Sequence, residues 1–319
     1  GVSAVLAFLS GTEQIQLWHI GVGTFVSGIF WVLDNPVRKT LMAGAVDSSL
    51  IGPAMSLDTV TNNGTRMLGP ILGGLFLQWV GLTGVYGFAA LAYVLVLLWT
   101  ITLRPKTRSS RQSDHGVLSA IKRSWPLLQN YPLLAGILMV TVVFNLWGFP
   151  FMSMIPVIGK NVLGFNSFHV GLLMSAEGCG ALIGALLIAS AGQVRHYRRL
   201  YVSGISLYLV SAVIFSQSTL AVSSGASLLL VGLGVAAFAA MQSTLIFLTA
   251  PEEARSLMMG LLSVCIGMAP IGFLHIGLLA NWFGAPTAIA ILASEGIVAL
   301  WWVLRRWPSL WDLQYLSKE

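Results

Sequence analysis

Charge is what this sequence has least of. Only 9% of its 319 residues are Asp, Glu, Lys or Arg, while 56% are hydrophobic. A soluble domain carries about 25% charged residues. So few charges cannot cover the surface of a water-soluble core of this length, so lipid must be the solvent for much of it. Cysteine is also scarce. Cys179 and Cys265 both lie inside apolar runs, which argues against a disulfide framework. No Walker A segment is present, because Gly159-Lys160 runs into Asn161 and lacks the upstream glycine spacing. ATP hydrolysis on a P-loop is thereby excluded. The five histidines are scattered, and no metal-ligand spacing or nucleophile elbow appears. The chain therefore reads as no enzyme, needing no cofactor and no metal. The net charge of +6 is spread over short loops rather than gathered in one patch, so nucleic acid is not the expected partner.

What fills the sequence is a series of long apolar runs. Spans are placed at 17–33, 52–80, 84–103, 132–158, 167–191, 200–217, 225–249, 257–280 and 285–304. Barrel strands are excluded, since they are about ten residues long with alternating polarity. The first apolar run, 1–10, is half the roughly 20 residues that a span needs. The chain is therefore expected to begin inside a helix. Eleven Trp and 34 Gly fit this all-α polytopic membrane protein.

Fifteen of the seventeen Lys and Arg residues fall on alternate loops, from Arg38 and Lys39 through to Lys318. Lys160 stands alone on the opposite set, and Arg66 lies within a span. The positive-inside rule puts the rich loops in the cytoplasm. The expected organisation is an N-terminal bundle at 1–103, a cytoplasmic linker at 104–131, a C-terminal six-helix bundle at 132–305 and a cytoplasmic tail at 306–319.

The two bundles resemble each other at an offset of 200 residues: Gly69-Pro70-Ile71 lies over Ala269-Pro270-Ile271, and Gly84 over Gly284. Restoring two helices upstream would give two parallel six-helix repeats.

The most informative segment runs from Asp58 to Gly74. Asp58, Asn62 and Arg66 are spaced by fours and form a polar ridge, with Asn63 beside it. Ionisable residues at membrane depth are costly and normally face a cavity or a partner. Asp58, near the cytoplasmic end, is expected to be wetted. Gly69 and Gly73 are one turn apart and would let a neighbouring helix approach closely. Pro70 removes a backbone hydrogen bond and Gly74 extends the motif. The alternative is a packing seam with no pathway role.

Here the sequence resembles a known family. Asn63-x-x-Arg66-x-x-Gly69-Pro70-x-x-Gly73-Gly74 is similar to the antiporter motif of drug:proton exporters in the major facilitator superfamily, in the enterobactin-exporter-like and macrolide-efflux-like subgroup. Asp34-Asn35-Pro36-Val37-Arg38 and Pro251-Glu252-Glu253-Ala254-Arg255 resemble that family's helix exits and loops. Val194-Arg195-His196-Tyr197-Arg198-Arg199 resembles the second copy of its cytoplasmic gate motif, with Val194 in the Asp position. Arg195, Arg198, Arg199, Glu252 and Arg255 would then form the gate loops. The bland reading of these arginines is topology alone.

The resemblance implies a major facilitator fold of two six-helix bundles with the first two helices missing. It implies a monomer in the bacterial inner membrane that exports a small amphipathic compound, such as a drug or siderophore, by proton-coupled alternating access. A facilitator or importer without proton coupling, or a non-transporting paralogue, remains the alternative. For coupling, a desolvated carboxyl is the simplest proton carrier. Glu177 shares a helix face with Gly180 and Gly184 and is the favoured candidate over Asp58. Glu295, at the middle of the last span, is expected to hydrogen-bond a neighbour. Phe144, Trp147, Phe149 and Phe151 crowd one span, either as cavity lining or as filler.

Overall fold

The computed structural model describes residues 1–45, 51–102, 126–190 and 196–311, and within these the side chains of many residues between 29 and 63, Asn63 among them, and that of Ser256 lie outside the described set. The expectations for Val194, Arg195, most of the linker and the tail beyond Trp311 also fall outside the described residues. The described residues form helices α1 Val2–Gly11, α2 Leu17–Ala45, α3 Ile51–Thr102, α4 Pro132–Val143, α5 Ile155–Asn161, α6 Ser167–Ser190, α7 Tyr197–Ser216, α8 Ala221–Thr249, α9 Arg255–Ile266, α10 Ala269–Phe283 and α11 Ala285–Arg306. No strand occurs among them. Among the described residues, seven stretches are long and apolar enough to cross a membrane: Gly64–Thr102, Pro132–Asn161, Ser167–Ser190, Tyr197–Ser216, Ala221–Thr249, Leu257–Phe283 and Ala285–Arg306. The chain is a multi-pass membrane protein.

Two expected spans, 52–80 and 84–103, are one continuous assignment broken at Gly81. There the backbone turns to φ +66° and ψ −173°, a conformation that only glycine adopts without strain. The span expected at 257–280 is interrupted instead: Gly267 ends α9 and Pro270 sits in the first turn of α10, where a missing N–H costs nothing. The span expected at 132–158 is helical but irregular. A π turn, Phe144–Gly148, and a 3-10 turn, Phe149–Met154, separate α4 from α5, with Pro150 and Pro156 unable to donate the regular bonds.

The chain divides into two compact units, one made of Gly1–Gln112 with Asn166–Gly171, the other of Ser113–Phe165 with Leu172–Glu319. In the first, α1 packs on α3, and Thr83 Oγ1 donates to Ser10 Oγ at 2.9 Å. Large apolar side chains such as Trp79 and Trp99 point outward, as lipid-solvated surface does. In the second, Tyr201, Tyr208, Phe151 and Phe215 are fully buried. The Phe238 ring stacks on Phe144 at 4.3 Å and on Tyr201 at 5.0 Å. Helices α7 and α8 cross where a Cβ on Gly204 would sit 2.8 Å from the Gly234 carbonyl and one on Gly234 would sit 2.6 Å from the Gly204 carbonyl. Lipid supplies no hydrophobic drive between helices, so association rests on such close backbone contact.

Candidate functional site

Glu177 lies in the second unit, midway along α6, and is only 2% exposed. It is held where two helices meet without side chains between them. A Cβ on Gly232 of α8 would collide with the Glu177 carbonyl, one on Gly180 would collide with the Leu229 carbonyl, and one on Gly184 would sit 2.8 Å from the Ala236 Cβ. The small residues that the α6 sequence places on one face thus meet small residues of α8. A carboxyl this deep in an apolar bundle is expensive to bury, which makes it a candidate rather than a neutral position.

The ridge on α3 resolves differently. Asp58 does not sit in water: its side chain is 9% exposed and it forms an ion pair with Arg38 of α2. The expectation of a wetted Asp58 rested on distance along its own helix, which cannot register a partner on another helix. Asn62 and Arg66 lie on exposed positions of α3. A Cβ on Gly69 or Gly73 would meet nothing within 4 Å, so these two glycines form no close seam in this conformation. Gly74 is the crowded position, its would-be Cβ colliding with the Ser167 carbonyl inside the first unit. Gly171 stands in the same relation to the carbonyl of Pro70.

Of the gate-loop arginines, Arg198 donates to the Ser309 carbonyl at 3.1 Å. Arg199 lies 5.9 Å from the Trp311 ring centroid. Ser309 belongs to the short 3-10 turn Pro308–Leu310 and Trp311 follows it; Leu310 is fully buried, 3.0 Å from where a Cβ on Gly136 would sit. Arg255 reaches Glu252 at 3.3 Å, but that carboxylate is 87% exposed, so the pair adds little.

Two polar groupings escaped the sequence reading. In the first, Tyr201 Oη donates to the Ile137 carbonyl at 3.0 Å and lies 3.1 Å from Thr141 Oγ1; Gln242 Nε2 donates to that same Thr141 Oγ1 at 2.9 Å, and Asn145 Nδ2 donates to the Thr141 carbonyl at 2.9 Å. The spacing of Thr141 and Asn145 by one turn was a legible signal; their partners on α7 and α8 were not. In the second, Trp147 Nε1 donates to Glu295 Oε2 at 3.0 Å, with His275 Nε2 3.6 Å from the same oxygen. The neighbours that Glu295 meets are thus Trp147, four residues past Val143 at the end of α4, and His275 of α10.

The transmembrane secretion effector family matches over residues 1–310. No protein of curated function matches the sequence. Among solved structures, the chain is similar to a POT family transporter crystallised with a thioalcohol-conjugated peptide, at 14% identity, covering 98% of this chain and 81% of that one with a TM-score of 0.67. The nucleoside transporter NupG matches at 15% identity over 96% and 81% with a TM-score of 0.67. A bacterial homologue of the human lysosomal transporter Spinster matches at 13% identity over 97% and 80% with a TM-score of 0.60. At these identities the likeness speaks for the fold alone.

Proposed function

The chain belongs to the transmembrane secretion effector family and has the all-α major facilitator fold of a membrane transporter, and from that premise we propose that it exports a small amphipathic compound by proton-coupled alternating access. The observation that carries this reading is Glu177, 2% exposed inside the glycine-lined seam of α6 and α8. A carboxyl can take up and release a proton, and burial makes its charge state matter to how the surrounding helices sit. The close seam gives those helices a contact that a change of charge can loosen or tighten, and packed interfaces respond by switching between discrete arrangements rather than by bending. Arg66, with Asn62 and Asn63, would supply fixed polarity along the substrate path, and Asp58 with Arg38 a structural tie.

On this reading the basic loops lie in the cytoplasm of a bacterial cell, the protein works as a monomer in the inner membrane, and residues 1–103 and 132–305 are its two moving bundles. The test is transport of the amphipathic dye Hoechst 33342 by the full-length protein in vesicles. Glu177→Gln should abolish uphill export driven by a pH gradient yet keep downhill exchange, because Gln mimics the protonated form. Normal uphill export by Glu177→Gln would overturn the coupling role.

A further inference from the structure

On α11 the residues Ile291, Ser294, Glu295, Val298 and Trp302 follow one another at helical spacing and share one face. That face lines an open groove of about 910 Å³, closed at one side by Trp147 and at another by His275 of α10. Trp147 reaches it from the π turn Phe144–Gly148, and an extra residue per turn re-aims a side chain in just this way. Glu295 is the eleventh residue of the 22 in α11, and ten residues from Arg305 correspond to about 15 Å along the axis. The carboxylate therefore lies midway along a helix long and apolar enough to cross a membrane. Its side chain is 41% exposed, that of His275 38%, and Val298, Trp301 and Trp302 around it are more than half exposed. A half-exposed acid at that position, opening sideways among indoles, is an arrangement that helix packing alone does not require.

We propose that this groove is a bilayer-facing binding site for a lipophilic organic cation, with the carboxylate of Glu295 as counter-charge and the indoles of Trp147 and Trp302 as walls. The chemistry selects the occupant. An acyl chain gains nothing from a carboxylate, which is costly to leave in hydrocarbon. An anionic headgroup would be repelled by it. A cation with an apolar body satisfies the acid and the walls together, since indole faces attract cations most strongly of the aromatic side chains. Trp147 Nε1–H fixes Glu295 Oε2, holding the carboxylate in place before a ligand arrives. Arg305 lies over Trp301, 4.4 Å from its centroid, so that ring is already engaged by a cation of the chain itself. None of the residues of this groove belongs to the transport path proposed above, and the site stands or falls separately from it.

Tetraphenylphosphonium binding to the full-length protein in zwitterionic nanodiscs provides the test, read by quenching of tryptophan fluorescence against empty nanodiscs. The native protein should bind tetraphenylphosphonium and ignore the neutral analogue tetraphenylmethane. Glu295→Gln, which keeps an acceptor for Trp147, should weaken binding by about tenfold or more, as expected for losing a charge-assisted contact. Ala290→Phe, which projects a ring into the groove and leaves the carboxylate, should do the same. Thermal unfolding of both variants in detergent should match the native protein, which separates lost binding from lost fold. Equal binding of the neutral analogue, or unchanged affinity in either folded variant, overturns the proposal. A dimer that Ala290→Phe dissociates also overturns it, because a second copy of the chain would then be the occupant.

Discussion

Arg38 Nη1 donates to Asp58 Oδ1 across twenty positions of sequence, and this ion pair ties α2 to α3. The carboxylate is nearly buried and the guanidinium is 41% exposed. The pair is thus half protected from screening, and removing Arg38 takes this charged partner from a nearly buried carboxylate.

Its worth is measurable by a double-mutant cycle in detergent, with thermal unfolding as readout. Arg38→Gln and Asp58→Asn should each destabilise, and the double variant should lose less than their sum. The interaction energy expected is about 1 kcal/mol. Additive effects would mean the pair is incidental.

Crowding separates two neighbouring glycines. Gly74→Ala would drive its Cβ into the Ser167 carbonyl, whereas Gly73→Ala meets open space. Overpacking against backbone costs about 1–3 kcal/mol. Gly74→Ala should therefore lower the unfolding temperature and Gly73→Ala should leave it unchanged. If Gly73 joins a close seam in another state of the transport cycle, Gly73→Leu should slow dye export with folded protein still in the membrane. Unchanged export would mean that Gly73 makes no close seam in the transport cycle.

The apolar runs, the break near Gly81 and the α6 glycine face around Glu177 were all legible in the sequence, because each depends only on local composition and helical spacing. The pairing of Asp58 with Arg38 was not, since spacing along one helix says nothing of which helix faces it. Gly69 and Gly73 showed the same limit: small residues permit close approach but do not choose the neighbour. The irregular turns between Phe144 and Met154 carried a hint in Pro150 and Pro156. Proline marks a missing hydrogen bond but not whether the helix tightens or widens around it.

Orientation is testable directly. In a background without Cys179 and Cys265, Ser110→Cys should react only with reagent on the cytoplasmic side and Asn161→Cys only from outside. Fifteen of the seventeen basic residues motivate this. Reversed labelling would overturn the proposed orientation.

The C-terminal turn offers a packing test. Leu310 is fully buried against Gly136 while Arg198 holds the Ser309 carbonyl. Leu310→Ala leaves a cavity, which costs about 2–5 kcal/mol in a soluble core. A clear drop in unfolding temperature is expected. Arg198→Gln should cost less, because it loses one part-buried hydrogen bond and opens no cavity in the core. Equal stability of Leu310→Ala and native protein would show that the turn is not docked in the membrane-embedded protein.

The buried network around Thr141 supplies the last prediction. Thr141, Tyr201, Asn145 and Gln242 are all nearly or fully buried. Tyr201 Oη and Gln242 Nε2 both reach Thr141 Oγ1, so α4, α7 and α8 share one hydroxyl just ahead of the π turn at Phe144. Tyr201→Phe removes a donor from the Ile137 carbonyl and keeps the ring stacked on Phe238. The expected loss is about 1 kcal/mol, the net value of one hydrogen bond. Thr141→Val is harsher. It is close in shape but takes the shared partner from both groups: the Tyr201 hydroxyl keeps its bond to the Ile137 carbonyl, while the Gln242 amide is stranded in an apolar interior, where an unmet polar group costs about 1–3 kcal/mol. Thr141→Val should therefore destabilise more than Tyr201→Phe. Pairing it with Gln242→Leu should recover part of the loss, since the stranded amide is then gone. Thermal unfolding of the four proteins in one detergent decides it. If Thr141→Val is no worse than Tyr201→Phe, the shared hydroxyl does not hold the three helices together.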